Sequence, residues 1–191
     1  MWRRDAGRTA ESPEALPEDL HEQWTHDLPT PAPAYRAERL RFDEGPEPVV
    51  ADGRVFVSSS RNDSVIALGL ADGNELWRIH VGGPVRFAPV ASDGKLWFGS
   101  DDGYLRCVDA ANGKELWRGR VRGNYRSSPI LAGDHLYFFS EQGRGTVLRA
   151  GRTFHEVAVS EVPDMGTTAC PAVSRGSIFV RGKTHLYKIR E

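Results

Sequence analysis

The sequence is poor in cysteine, in net charge and in long apolar runs. Its 191 residues include only two cysteines, Cys107 and Cys170, too few for a disulfide framework and without a Cys-x-x-Cys pair. The formal net charge of −1 gives no broad positive field, so neither nucleic acid nor an anionic membrane surface is expected as a partner. No stretch approaches the roughly 18 apolar residues of a membrane span. No apolar segment follows the charged first residues, so the chain shows no secretory signal.

Short catalytic and metal-binding motifs are also missing. The six histidines have no His-x-x-x-His spacing, and the chain has neither a Gly-x-Ser-x-Gly elbow nor a phosphate-binding P-loop. Asp101 and Asp102 precede a glycine, but they lack the ligand spacing of the roughly 12-residue EF-hand loop and are typical of a hairpin turn. The sequence therefore predicts no metal site and no catalytic constellation.

Internal repeats are the strongest positive signal. A proline followed by small apolar residues occurs four times, at spacings of 41, 40 and 42 residues: Pro48, Pro89, Pro129 and Pro171. A two-residue turn and a short apolar strand follow each of them. Residues 72–78 (Asp-Gly-Asn-Glu-Leu-Trp-Arg) recur almost unchanged at residues 112–118. Asp-Gly and Asn-Gly turns between short apolar runs indicate β-hairpins, because such turns need positive φ.

Four short strands in each unit of about 40 residues are typical of a propeller blade. We therefore predict an all-β propeller of about four blades over residues 22–191, after an N-terminal extension of residues 1–21. The blades are expected at residues 47–84, 88–124, 128–163 and 170–191. The last unit lacks a fourth strand, and Glu22-Gln23-Trp24 shares the Glu-x-Trp pattern of two other units. Residues 22–28 are predicted to complete the last blade and cover its edge.

The loops that enter the innermost strands surround the funnel of a propeller and are the best candidate binding region. Arg86 and Arg126 lie three residues before the aligned prolines of neighbouring blades, and Tyr125 lies beside Arg126. Two guanidinium groups at one mouth would attract a carboxylate or a phosphate. Asp43 or Glu44 could instead pair with them across the ring. Ion pairs that hold blades together, with a packed tyrosine, are the favoured alternative to a ligand site.

One unit matches a known repeat motif closely. Residues 108–117, Val-Asp-Ala-Ala-Asn-Gly-Lys-Glu-Leu-Trp, fit the pattern Ala-x-Asp-x-x-x-Gly-Lys-x-x-Trp, and residues 67–77 fit it less well. Residues 2–9 look like the opening of the same proteins. By these residues the chain resembles the PQQ-like (pyrroloquinoline-quinone-like) repeat family, over nearly its whole length.

The resemblance implies a structural role for the repeat tryptophans. In that family they pack between blades rather than stack on a ligand, which assigns Trp77 and Trp117 to packing. Trp24 shares their pattern, so we expect it to pack in the same way. The third unit has no tryptophan in this region, and Phe154 is predicted to replace it.

The family also suggests where such a chain works and how large its ring is. Its members include quinoprotein dehydrogenases, the propeller lipoprotein of outer-membrane assembly and sensor domains, most of them outside the cytoplasm. The resemblance therefore implies an extracytoplasmic location, which the missing signal does not support. Family propellers usually have seven or eight blades. Three interpretations of about four blades stay open: a shortened gene, a closed four-bladed ring, or two copies that complete one eight-bladed ring.

A non-catalytic scaffold is the function that we predict, with loops presented to a protein or glycan partner. The alternative is a quinoprotein-type oxidoreductase or redox-cofactor-binding fragment, which would use PQQ with calcium. The chain has no adjacent cysteines and no mappable calcium ligands, so no cofactor is expected and an enzyme is disfavoured. A third interpretation is a truncated remnant without independent activity.

Overall fold

The computed structural model describes residues 13–29, 47–162, 164–167 and 169–190, which form strands and turns and no helix. The strands are β1 (Val49–Ala51), β2 (Arg54–Ser59), β3 (Ser64–Gly69), β4 (Glu75–His80), β5 (Val90–Ser92), β6 (Lys95–Ser100), β7 (Tyr104–Asp109), β8 (Glu115–Gly119), β9 (Ile130–Ala132), β10 (His135–Phe139), β11 (Arg144–Arg149), β12 (Glu156–Glu161), β13 (Ala172–Ser174), β14 (Ser177–Arg181) and β15 (Leu186–Ile189). The all-β prediction is confirmed.

The strands form four antiparallel meanders in chain order. The first three blades are β1–β4, β5–β8 and β9–β12, and the fourth has only β13–β15. In the first two blades a two-residue turn joins the innermost hairpin, with positive φ at both positions: Asp52 (50°) and Gly53 (70°), then Asp93 (48°) and Gly94 (67°). These angles are those of the type I′ turn, whose twist matches that of the flanking strands. The Asp-Gly signal was therefore a sound guide to the hairpins.

The apolar core lies between successive blades rather than inside any one of them. One cluster joins the first and second blades through Phe56, Leu96 and Phe98, all at most 1% exposed. A second cluster joins the second and third blades, and a third joins the third and fourth. Each sheet thus buries its faces against its neighbours, because a single four-stranded sheet cannot cover its own apolar faces.

The predicted N-terminal strand is not formed. Residues 22–28 contain no strand, and β15 ends the fourth sheet in the described part of the chain. The physical reason is that Trp24 packs with Val55, Ile66 and Leu68 of the first blade, whereas none of the hydrophobic clusters among the described residues joins the fourth blade to the first. Residues 22–28 therefore cannot pack on the first blade and also pair with β15 of the fourth blade, because the described parts of these two blades do not pack together.

Candidate protein-interaction face

The linkers between blades lie on the same face of the structure as the turns that join the second and third strands of each blade. We call it the linker face; its linkers are residues 81–89 and 120–129. Equivalent backbone hydrogen bonds hold both linkers against the following blade. The amide of Asp101 donates to the carbonyl of Pro84 at 2.9 Å, and the amide of Glu141 donates to the carbonyl of Asn124 at 2.8 Å. The linkers are therefore part of the blades and not free loops.

Arg86 and Arg126 lie on this face, where each pairs with an acidic residue of its own blade. Arg86 Nε is 2.6 Å from a carboxylate oxygen of Asp101, and Arg126 Nε is 3.2 Å from one of Glu141. Both acids lie 15 residues after their arginine, so the pair repeats with the blade. Such partly exposed pairs contribute about 0.2–1 kcal/mol each. They fasten a linker to a turn within one blade rather than joining two blades.

Asp43 and Glu44, the other predicted partners of these arginines, lie outside the described residues. Tyr125 is packed: its ring meets the Phe138 ring edge-on at 6.1 Å, and its hydroxyl donates to the carbonyl of Arg122 at 2.8 Å. Burial raises the pKa of the Tyr125 phenol, although a hydrogen bond with Thr146 opposes the shift. The tyrosine therefore shapes the linker instead of offering a stacking surface.

A buried charge network stabilises the turn of the second blade. Arg106 is 5% exposed, and its guanidinium donates two hydrogen bonds to the Asp102 carboxylate, at 3.1 and 2.5 Å. The same carboxylate accepts from Ser100 Oγ at 2.5 Å and from the Tyr104 amide at 3.0 Å. Burial alone would raise the pKa of Asp102, but these hydrogen bonds and the charge of Arg106 hold it well below its usual range. Asp102 is thus a structural anion at a turn.

Three tryptophans pack in the same way, two of them at blade boundaries and one on the free side of the first blade. The indole nitrogen of Trp77 donates to the carbonyl of Ala110 at 3.1 Å, and that of Trp117 to Gly151 at 2.9 Å. Trp24 makes the same contact with Leu70 of the first blade, at 3.1 Å. Each indole reaches forward to the next blade in chain order. Trp24 therefore occupies the position of an outer-strand tryptophan from a blade that would precede the first.

Phe154 packs at a blade boundary in the opposite sense. Its ring meets the Trp117 ring edge-on at 5.3 Å and lies against Gly119 of the second blade. The strand register places Ala158, not Phe154, at the position of Trp77 and Trp117. Phe154 thus reaches back from the turn before β12, and the third blade has no tryptophan equivalent.

The structure also assembles a basic cluster that the sequence analysis missed. The guanidinium carbons of Arg106, Arg118 and Arg120 lie 5.4, 5.4 and 4.4 Å from the centre of the Tyr104 ring. Arg118, Arg120 and Arg122 alternate with other residues at the end of β8 and in the following linker. That period of two was visible in the sequence, since alternate residues of an extended chain share a side.

These features are matched by one family of known proteins. A family model described as outer membrane protein assembly factor BamB matches residues 17–190. The chain belongs to this family. The PQQ-like resemblance is therefore confirmed over nearly the full length. No curated protein matches the sequence.

Solved structures show the fold of this BamB family member. BamB from Moraxella catarrhalis is 19% identical with a TM-score of 0.60, over 72% of this chain and 42% of that one. A quinohemoprotein alcohol dehydrogenase from Pseudomonas putida HK5 is 17% identical, with a TM-score of 0.57, over 74% and 29%. The computationally designed protein Ika4 is 11% identical, with a TM-score of 0.59, over 75% and 88%. The chain thus spans less than half the length of both natural proteins.

The described residues of this BamB family member contain no group of three or more histidine, cysteine or acidic residues that could hold a metal ion. Both cysteines are free, and Cys107 is buried. Burial raises the pKa of the Cys107 thiol to about 12, which keeps it protonated at neutral pH. In the same residues no helix is long and apolar enough to cross a membrane.

Proposed function

We propose that this chain is a non-catalytic propeller scaffold that binds a protein partner through its linker face. The observation that carries the proposal is the repeated fastening of that face. In two successive blades, the same amide–carbonyl bond and the same arginine–acid pair hold the linker against the turn. A surface ordered before binding loses less conformational entropy on association. Membership of a family named for an outer-membrane assembly factor supports a protein partner and an extracytoplasmic location.

The scaffold is proposed to work without a cofactor; in support, the described residues hold no group of three or more histidine, cysteine or acidic residues that could bind a metal ion. A glycan partner has no specific observation in its favour. Titration of the purified chain with PQQ and calcium, followed by absorbance, is expected to show no saturable change. A saturable change that depends on both ligands would support the quinoprotein alternative instead.

Photo-crosslinking tests the interaction face directly. Arg126 has a side chain 68% exposed on the linker face, and Asp93 is exposed on the opposite face, in the turn between β5 and β6. We replace each in turn with benzoyl-phenylalanine and irradiate the chain in extract of its source organism. A discrete protein adduct is expected from position 126 and not from position 93. Equal adducts from both positions, or none, would contradict the proposal.

We further propose that a second copy of the chain completes the ring. Trp24 already lies where the outer-strand tryptophan of a preceding blade would lie, and the described part of the fourth blade lacks an outer strand. The fourth blade of one copy would then lie beside the first blade of the other. Residues 22–28 of the second copy would extend the β15 edge. Light scattering after size exclusion is expected to give twice 21.2 kDa, and a monomer would contradict ring completion by this route.

A further inference from the structure

The arginines around Tyr104 carry more positive charge than their surroundings balance. Asp102 pairs with Arg106, and Glu115 lies 3.5 Å from Arg106 and 3.7 Å from Arg118. Among the described residues, no carboxylate is within ion-pair distance of Arg120 or Arg122, and both are exposed. In addition, Arg106 and Arg118 are directly opposite in the β7–β8 ladder. Like charges in that position are destabilising, so packing alone does not call for this arrangement.

The neighbouring blades show that the fold does not require these charges. The strand register aligns Tyr104 and Arg120 with the pair Ser64 and His80 in the first blade. In the third blade the aligned pair is Arg144 and Glu161, which form an ion pair at 3.5 Å. One backbone position thus carries a serine–histidine pair, a balanced ion pair and, only in the second of these three blades, an unbalanced arginine.

The unbalanced arginines lead toward the third blade. Arg118 and Arg120 contact the Tyr104 ring, and Arg122 lines an open cleft of about 360 Å³ that the ion pair Arg144–Glu161 also lines. The Nε atom of Arg144 is buried and has no hydrogen-bond partner. Arg118 lies in β8, and Arg120 and Arg122 follow its end. In a β-strand, residues two apart are separated by about 6.7 Å. An extended partner with carboxylates on alternate residues has the same spacing.

We propose that Arg118, Arg120 and Arg122, which we call the arginine row, bind an extended acidic segment of a partner protein. The inference rests on the proposed scaffold function and names the chemistry of the partner. Nucleic acid is the weaker fit for two reasons. The Arg120 guanidinium covers the Tyr104 ring at 4.4 Å, where a base would have to stack. The net charge of −1 also gives the chain no broad field to attract a polyanion.

Fluorescence anisotropy on the full chain tests the proposal with a labelled ten-residue peptide in which glutamate alternates with threonine. We expect saturable binding that weakens as salt rises, and no binding of the glutamine-for-glutamate peptide. An exposed ion pair changes affinity about 1.4- to 5-fold. The variant R118Q/R120Q/R122Q is therefore expected to bind about 3- to 125-fold more weakly. Arg122→Gln alone, which removes no ion pair of the described chain, should give a smaller loss with unchanged thermal unfolding.

Two matched variants control for charge and position. Arg78→Gln changes the first-blade equivalent of Arg118, and Lys114→Gln removes a cation before the other end of β8. Neither is expected to change peptide affinity more than 1.5-fold. Equal losses in these controls, or absence of peptide binding, would overturn the inference. So would tighter, row-dependent binding of a ten-nucleotide oligothymidine. If the peptide fails while the adduct from position 126 persists, the arginine row is refuted and the scaffold proposal stands.

Discussion

The tryptophans that pack against the next blade are expected to contribute strongly to the stability of the blade boundary. Trp77 is the best position at which to measure this contribution. Its side chain is about nine-tenths buried at the boundary of the first and second blades, and its ring lies 5.9 Å from that of Phe56. Trp77→Ala removes this packing together with the hydrogen bond to Ala110. Truncation of a buried aromatic residue costs about 3–5 kcal/mol, which includes the cavity that is left.

The magnitude is large compared with the stability of a domain, which is about 5–15 kcal/mol. With a urea dependence of about 2 kcal/mol per molar, the unfolding midpoint should fall by about 1.5–2.5 M. Trp77→Phe keeps a ring and removes the indole donor, so its loss should be smaller. Leu76 is adjacent on β4 and 51% exposed, so Leu76→Ala should change stability by less than about 0.5 kcal/mol.

Hydrogen exchange locates the effect within the chain. Each blade contacts only its neighbours, so stability is approximately a sum of blade and boundary contributions. Trp77→Ala should lower amide protection in β1–β4 more than in β9–β12, where the Trp117 boundary is intact. A loss of stability below about 1 kcal/mol, or an equal loss of protection in all blades, would refute the reasoning.

Two further predictions concern the second blade. Because the folded-state pKa of Asp102 is lowered, its stabilisation is complete above the unfolded value of about 3.9 and is lost as pH falls through the folded value. Urea unfolding from pH 7 to pH 2 should therefore show a smaller acid-induced loss of stability in Asp102→Asn. This variant should be less stable at pH 7 by up to about 3–5 kcal/mol, because the buried Arg106 loses the carboxylate that accepts two of its hydrogen bonds. An equal acid-induced loss would contradict this role of Asp102. Iodoacetamide at pH 8 should label half-buried Cys170 before Cys107 on the folded chain, as measured by peptide mass spectrometry, and the reverse order would contradict the burial of Cys107.

The repeat was predictable because local signals set it. Asp52-Gly53 and Asp93-Gly94 specify hairpins by their backbone preferences, and these preferences act without distant partners. Alternating apolar residues between the turns then identify strands of four to six residues, as the structure shows for β2, β6 and β15. The family followed from the same residues, because the motif consists of a turn and its strand.

The position of the N-terminal segment was not predictable from its pattern. Glu22-x-Trp24 correctly marks an indole that packs like Trp77 and Trp117, but the pattern does not say which sheet supplies the hydrogen-bonding edge. That choice depends on where the fourth blade lies relative to the first. Similarly, the sequence pattern assigns Phe154 by its place in the chain, whereas the β11–β12 register places Ala158 at the position of Trp77 and Trp117.

The candidate site was predictable in part. Equivalence of Arg86 and Arg126 followed from the repeat, but their acidic partners were sought across the ring and lie 15 residues along the same blade. Antiparallel strands bring such distant residues together only when the hairpin is built. The arginine row was overlooked because alternation of Arg118, Arg120 and Arg122 is informative only once Tyr104 is placed beside them.

The aligned pairs Ser64–His80, Tyr104–Arg120 and Arg144–Glu161 occupy one site of the backbone in three blades. The buried clusters between blades do not include these residues, so their identity can drift while the core is kept. In a repeated blade, the residues of the core are thus separate from the residues at the rim that can vary. Different residues at this one position therefore give each blade a different local charge on the same backbone. A row of similar blades can in this way carry an uneven distribution of charge, which a symmetric ring of identical blades would lack.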